Sequence, residues 1–103
     1  MNRPIIVLSV SLLLTACNWV QLTSDGRGVR LATQAEVGNC TRIGTTTSTT
    51  TSKIIVVQRG GEKMQEELVT LARNEAGLMD GNVVVADSTI ESGRQRFVVY
   101  RCP

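Results

Sequence analysis

From Glu62 to Met79 the apolar residues Met64, Leu68, Leu71, Ala72, Ala76 and Met79 recur at intervals of three and four, while Glu62, Glu66, Glu67, Arg73 and Glu75 fall on the remaining faces. That period predicts an amphipathic helix of about four to five turns with one apolar stripe. Its acids gather in the first turns, where the helix macrodipole favours them, and Gly81 stands where a left-handed C-cap is wanted. Such a helix must lay its stripe on another element, and what the surrounding chain offers is strands.

Val29 and Leu31 alternate with Arg30, which predicts a short strand, and Cys40 to Thr46 reads as a second one after the Gly38-Asn39 turn. Thr45 to Ser52 is then almost pure Thr and Ser. β-Branched Thr favours extended backbone, but a run of hydroxyls has no apolar face to bury, so a solvated edge strand or loop is expected. Ile54 to Val57 is four β-formers between Lys53 and Gln58, short enough for a buried strand, and Gly60-Gly61 ends it. Val83 to Ala86 and Phe97 to Tyr100 are two further strands, joined through Glu91-Ser92-Gly93-Arg94 as a hairpin. The expected fold is α+β: a small antiparallel or mixed β-sheet with one amphipathic helix packed on one face.

The chain has 103 residues, and its start reads as a targeting segment, which leaves one small domain near the lower limit for a self-sufficient core. Met1-Asn2-Arg3 supplies a positive beginning, and Pro4 to Leu14 is apolar except for Ser9 and Ser11. Thr15-Ala16 then places small residues before Cys17. That order is expected of a secretory signal peptide over residues 1–16. The apolar run is about half the twenty residues or so that a membrane-crossing helix needs. The segment Leu13-Leu14-Thr15-Ala16-Cys17 resembles the lipobox of bacterial lipoproteins, which implies cleavage before Cys17 and lipidation of its thiol. Several acyl chains, palmitate among them, would make that anchor stable where one chain binds only marginally. Asn18 stands where inner-membrane lipoproteins of enterobacteria usually carry Asp, which implies the outer membrane, on its periplasmic face. Residues 17–27, with the turn signal Asp25-Gly26-Arg27-Gly28, read as a lipidated cysteine and short tether, and 28–103 as the α+β domain. Trp19 would rest at the lipid interface or pack on the domain.

If Cys17 carries lipid, Cys40 and Cys102 remain as one pair in a chain exported to an oxidising space, and they are expected to form a disulfide. It would close a loop of about sixty residues, worth on the order of 4 kcal/mol. A redox-active or metal-binding pair is disfavoured by the lack of a CxxC spacing. The chain has no histidine, which removes Ser-His-Asp and Cys-His nucleophile activation and the commonest general base. Carboxylate chemistry would need two acids facing one cleft, yet Glu66 and Glu67 are helix neighbours that point apart. Gly60-Gly61 before the helix could suggest an anion site, but Glu62, Glu66 and Glu67 follow and would repel phosphate. Asp80-Gly81-Asn82 lacks the spacing of a calcium loop. A net charge of +2 and 3% aromatic residues argue against a nucleic-acid platform. No catalytic residue, metal, cofactor or small-molecule substrate is therefore expected.

Several short segments together carry a family likeness: Gly28-Val29-Arg30-Leu31, Gly38-Asn39-Cys40-Thr41-Arg42-Ile43-Gly44, Ala72-Arg73-Asn74-Glu75-Ala76, Gly81-Asn82-Val83-Val84 and Val99-Tyr100-Arg101-Cys102-Pro103. They resemble the YjeI-like family of small bacterial envelope lipoproteins, whose function is unassigned. More distantly the plan is similar to the outer-membrane lipoprotein that senses envelope stress for the Rcs phosphorelay. That sensor has additional disulfide cysteines and a long proline-rich linker, where this chain has one pair and a short tether. The resemblance implies a non-enzymatic, lipid-anchored module for envelope maintenance or stress, contacting an envelope protein or the cell wall. The alternative is an envelope hydrolase using Asp and Glu, which would need a convergent acid pair.

Overall fold

A computed structural model describes residues 20–50 and 61–103. The elements follow in the order β1 (Arg30–Leu31), β2 (Thr41–Thr49), α1 (Gly61–Leu78), β3 (Val83–Ala86) and β4 (Arg94–Arg101). Short 3-10 turns at Gly26–Gly28 and Gln34–Glu36 punctuate the N-terminal part. Among the described residues the strands make one four-stranded mixed sheet in the order β1-β3-β4-β2. β1 runs parallel to β3, whereas β4 is antiparallel to both β3 and β2. The α+β class expected from the sequence is the fold found, and the expected Ile54–Val57 strand lies outside the described residues.

The sequences of β3 (VVVA) and of the second half of β4 (FVVY) do not alternate, and a run apolar at every position needs cover on both faces of its sheet. Both are covered. On one face the stripe of α1, formed by Met64, Leu68, Ala72 and Ala76, packs with Val29 onto Val84, Phe97 and Val99. On the other face Val83, Val85, Val98 and Tyr100 are closed over by Ala32 and Val37 of the β1–β2 connection, with Cys40 and Cys102 packed alongside. Leu68 and Phe97 are fully buried, each stabilising the fold by roughly 2 to 3 kcal/mol relative to exposure. Leu71, also on the expected stripe, is only half-buried, beside Thr46 to Thr49 at the rim.

Among the described residues the Thr/Ser run begins as an edge strand, since β2 ends the described sheet and continues to Thr49, three residues past the expected end. A bulge between Arg42 and Gly44 resets its register. After it, Thr45, Thr47 and Thr49 lie opposite Val98, Arg96 and Arg94 on the face away from α1. Ser48 turns inward, and its hydroxyl donates to the Leu68 carbonyl at 2.8 Å.

Two sequence expectations are corrected by the way α1 is seated. The left-handed residue after the helix is Asp80 (φ 72°), not Gly81. The Gly81 N–H donates to the Ala76 carbonyl (2.9 Å) and the Asp80 N–H to the Gly77 carbonyl (3.2 Å), the paired bonds of a Schellman motif with Asp80 at C′. Gly81 answers a different demand: a Cβ there would collide with Val99 of β4. Glu67, read as part of the solvated side of the helix, is buried, and its carboxylate accepts a bond from the Thr50 hydroxyl at 3.0 Å. The donor comes from the residue just after β2, seventeen residues away, which helical periodicity does not register.

The expected hairpin closes as a two-residue turn. Ser92 (φ 52°) and Gly93 (φ 74°) both take positive φ, the signature of a type I′ turn, between mutually bonded Glu91 and Arg94. β4 starts at the turn, three residues before the expected Phe97. The polar residues Arg94 to Arg96 are held in the ladder by Thr47, Ser48 and Thr49 of β2.

Candidate functional site

The side chains that do the most organising outside the core lie on α1 at Arg73 and Asn74, and what they organise is the segment leading into the domain. The Asn74 side-chain oxygen accepts from the Thr23 N–H (2.8 Å) and the Thr23 hydroxyl (3.1 Å), and its amide donates to the Gln21 carbonyl (2.9 Å). Thr23 is itself fixed, because its hydroxyl accepts from the Gly26 N–H at 3.0 Å and its carbonyl from the Arg27 N–H at 3.1 Å. The Arg73 Nε donates to the Val29 carbonyl, after which Val29 drops into the core. Two glycines let the layers touch: a Cβ on Gly26 would strike Asn74, and one on Gly77 would strike the Asp25 backbone. Residues 21–29 are thus strapped across the helix. In sequence terms Gln21 to Arg27 read as tether; in the structure they dock on the domain.

At the far end of the sheet Cys40 and Cys102 form the expected disulfide, with Cα atoms 4.2 Å apart. They extend the β2–β4 ladder beyond the Thr41–Arg101 pair. Asn82 completes this end by acting as one more strand residue toward Cys102. Its amide donates to the Cys102 carbonyl (2.9 Å) and its oxygen accepts from the Cys102 N–H (2.7 Å). The Asn82 N–H donates to Tyr100.

Residues 20–102 match the profile of a domain of unknown function, DUF4156. The chain belongs to that family. No curated protein and no solved structure matches it. The matched span opens one residue before the Gln21 carbonyl that Asn74 holds and closes on the second disulfide cysteine. The DUF4156 domain therefore includes the docked segment as well as the sheet and helix.

Within the DUF4156 domain four acids, Glu36, Glu67, Asp80 and Asp87, are tied to structural partners. The Glu36 carboxylate accepts from the N–H (2.8 Å) and the hydroxyl (3.2 Å) of Thr33, closing the turn before β2. These two bonds, the backbone one first, hold its carboxyl below the usual carboxylate range. Asp87 pairs with Arg96 at 2.8 Å and Asp80 with Arg101 at 2.9 Å, both at the surface. Buried Gln95 accepts from the Gln65 amide (2.7 Å) and donates to the Ser88 carbonyl (2.8 Å), which ties the first turns of α1 to β4. Among the described residues no three His, Cys, Asp or Glu side chains are grouped so as to hold a metal ion, and no helix is long and apolar enough to cross a membrane. Cys17, the candidate lipidation site, lies outside the described residues.

The residues that organise the domain were thus only partly visible in advance. Cys40 and Cys102 were legible as the pair that remains once Cys17 is set aside as the expected lipidation site. Asn82 and Thr23 were not, because their partners are 20 and 51 residues away and depend on how the ends of the sheet and helix meet. The segments that carry the family likeness acquire physical roles here: Ala72 and Ala76 are fully buried, Arg73 and Asn74 hold the entering chain, and Gly81-Asn82 fits against β4 and the disulfide.

Proposed function

We propose that this DUF4156 protein is a lipid-anchored lipoprotein of the outer membrane, of the kind typified by the YjeI-like envelope lipoproteins, working on the periplasmic face by contact rather than catalysis. Its lipid is carried by Cys17, and its partner is an envelope protein or the cell wall. The observation that carries this reading is the strap: the domain takes hold of its chain at Gln21, four residues after the lipobox-like cysteine. Four extended residues reach at most about 14 Å, so an anchor at Cys17 keeps the folded domain beside the membrane. The arrangement suits a module whose local concentration at the membrane drives its binding. Support for the anchor comes from the order of residues 1–17: a positive start, a short apolar run, then small residues before a cysteine.

Two measurements test the reading. Radiolabelled palmitate should label the wild type and not Cys17→Ser, which should accumulate as the longer precursor. A version exported by an ordinary secretory signal and bearing Cys17→Ser should fold, yet fail to complement a deletion strain in its envelope phenotype. Equal labelling of wild type and variant would overturn the anchor. Full complementation by the soluble form would overturn action by contact at the membrane and favour an enzyme with a diffusible substrate.

A further inference from the structure

Resting on the lipid-anchor reading, we infer that the domain lies on the lipid surface with the strap and the C-terminal end of the outer face of α1 toward the headgroups, Leu78 entering the interface, the acidic first turns of α1 held off the lipid, and the opposite face of the sheet turned to the periplasm. Asn74 is two residues from each of the fully buried Ala72 and Ala76. At about 100° per residue that places it on the side of the helix roughly opposite the sheet. The strap brings the chain to that side, since the Gln21 carbonyl is bonded to the Asn74 amide. Only residues 18–20 stand between Cys17 and Gln21. The lipid must therefore lie within reach of the outer face of α1, and the sheet's far face cannot turn to the membrane while the strap holds.

The same side carries an exposed apolar side chain. Leu78 follows Asn74 by four positions, so it neighbours Asn74 on the helix surface, and it is 69% exposed, more than Leu31 or Ile43, the other exposed large apolar residues among those described. A single exposed leucine is ordinary on a soluble surface. This one stands a helical turn from the point where the chain from Cys17 arrives, with half-buried Val20 and Leu22 in the arriving segment. On the other side of the molecule the exposed face presents Thr47 and Thr49 directly opposite Arg96 and Arg94. In the inferred orientation this polar, hydrogen-bonding face is the one a periplasmic partner meets.

The test uses the lipidated full chain in vesicles of phosphatidylethanolamine and phosphatidylglycerol, with one environment-sensitive thiol fluorophore at Leu78→Cys or, separately, at Thr47→Cys. Flotation reads the anchor independently of orientation. The expected result is a blue-shifted Leu78→Cys label that lipid-borne quenchers reach, and a Thr47→Cys label that they do not. Asn74→Ala, and the milder Thr23→Val, should shrink that difference while flotation is retained. Floating protein with equal or reversed quenching at the two positions would overturn the orientation alone. A Leu78→Cys label protected without vesicles in a concentration-dependent way would assign the face to a second copy and overturn the lipid contact. Failure to float would overturn the anchor and, with it, this inference.

Discussion

Breaking the Cys40–Cys102 link is the perturbation whose size follows most directly from the fold. The two cysteines are separated by 62 positions. Closing a loop of that length removes about 14 cal/mol/K from the unfolded chain, or about 4 kcal/mol at 25 °C. The native state should absorb little of the change. Asn82 would still bond both backbone groups of Cys102, and the next pair, Thr41 with Arg101, would keep the two strand ends together. The double variant Cys40→Ala/Cys102→Ala should therefore fold to the same sheet but lose about 4 kcal/mol, a large part of the net stability expected of so small a domain. In thermal unfolding this corresponds to a fall in Tm of about 15 to 30 °C. Equilibrium urea unfolding of the variant beside the oxidised wild type is the assay, with a slope that rises as the unlinked chain expands. A loss below about 1 kcal/mol would refute the reasoning, because it would mean that the unfolded chain is not constrained by the link as the loop-entropy argument requires.

Other substitutions separate core from rim and packing from conformation. Leu68→Ala should destabilise by about 2 to 5 kcal/mol in the same assay and Leu71→Ala by clearly less, since the first side chain is fully buried and the second only half; equal losses would contradict the seating of α1. Gly81→Ala should destabilise by about 1 to 3 kcal/mol through collision with Val99, whereas Asp80→Gly should leave stability unchanged or raise it by up to about 1 kcal/mol, because it relieves a left-handed residue and loses only a surface ion pair. The Glu36 carboxyl should titrate below the usual carboxylate range by NMR and return toward it in Thr33→Ala. A folded value below the unfolded one means that this group's contribution is present above the unfolded value and fades as pH falls through the folded one. Thr33→Ala removes only the hydroxyl bond and keeps the larger backbone one, so the return should be partial; a wild-type midpoint within the usual carboxylate range would remove that account.

What the chain's own pattern determined is whatever depends on neighbours in sequence. The 3.6-residue recurrence from Met64 to Ala76 gave the helix and its buried stripe, and the unbroken apolar runs at Val83 and Phe97 gave strands. Ser92-Gly93 gave the turn, and the pairing of the two cysteines left when Cys17 is read as lipidated gave the disulfide. Tertiary structure decided whatever depends on partners far along the chain. Asp80 rather than Gly81 takes the left-handed position because the close approach of Val99, eighteen positions on, reserves Gly81 for packing. Glu67 is buried because Thr50 reaches it, and a polar side chain is kept inside only where a hydrogen-bond partner meets it. The second face of the sheet is closed by Ala32 and Val37, two residues with no periodicity to announce them. The strap of Gln21 to Arg27 on Asn74 is likewise invisible to local pattern, since composition marks those residues as polar loop. Only the meeting of Thr23 with Asn74, 51 positions away, turns a tether into part of the domain.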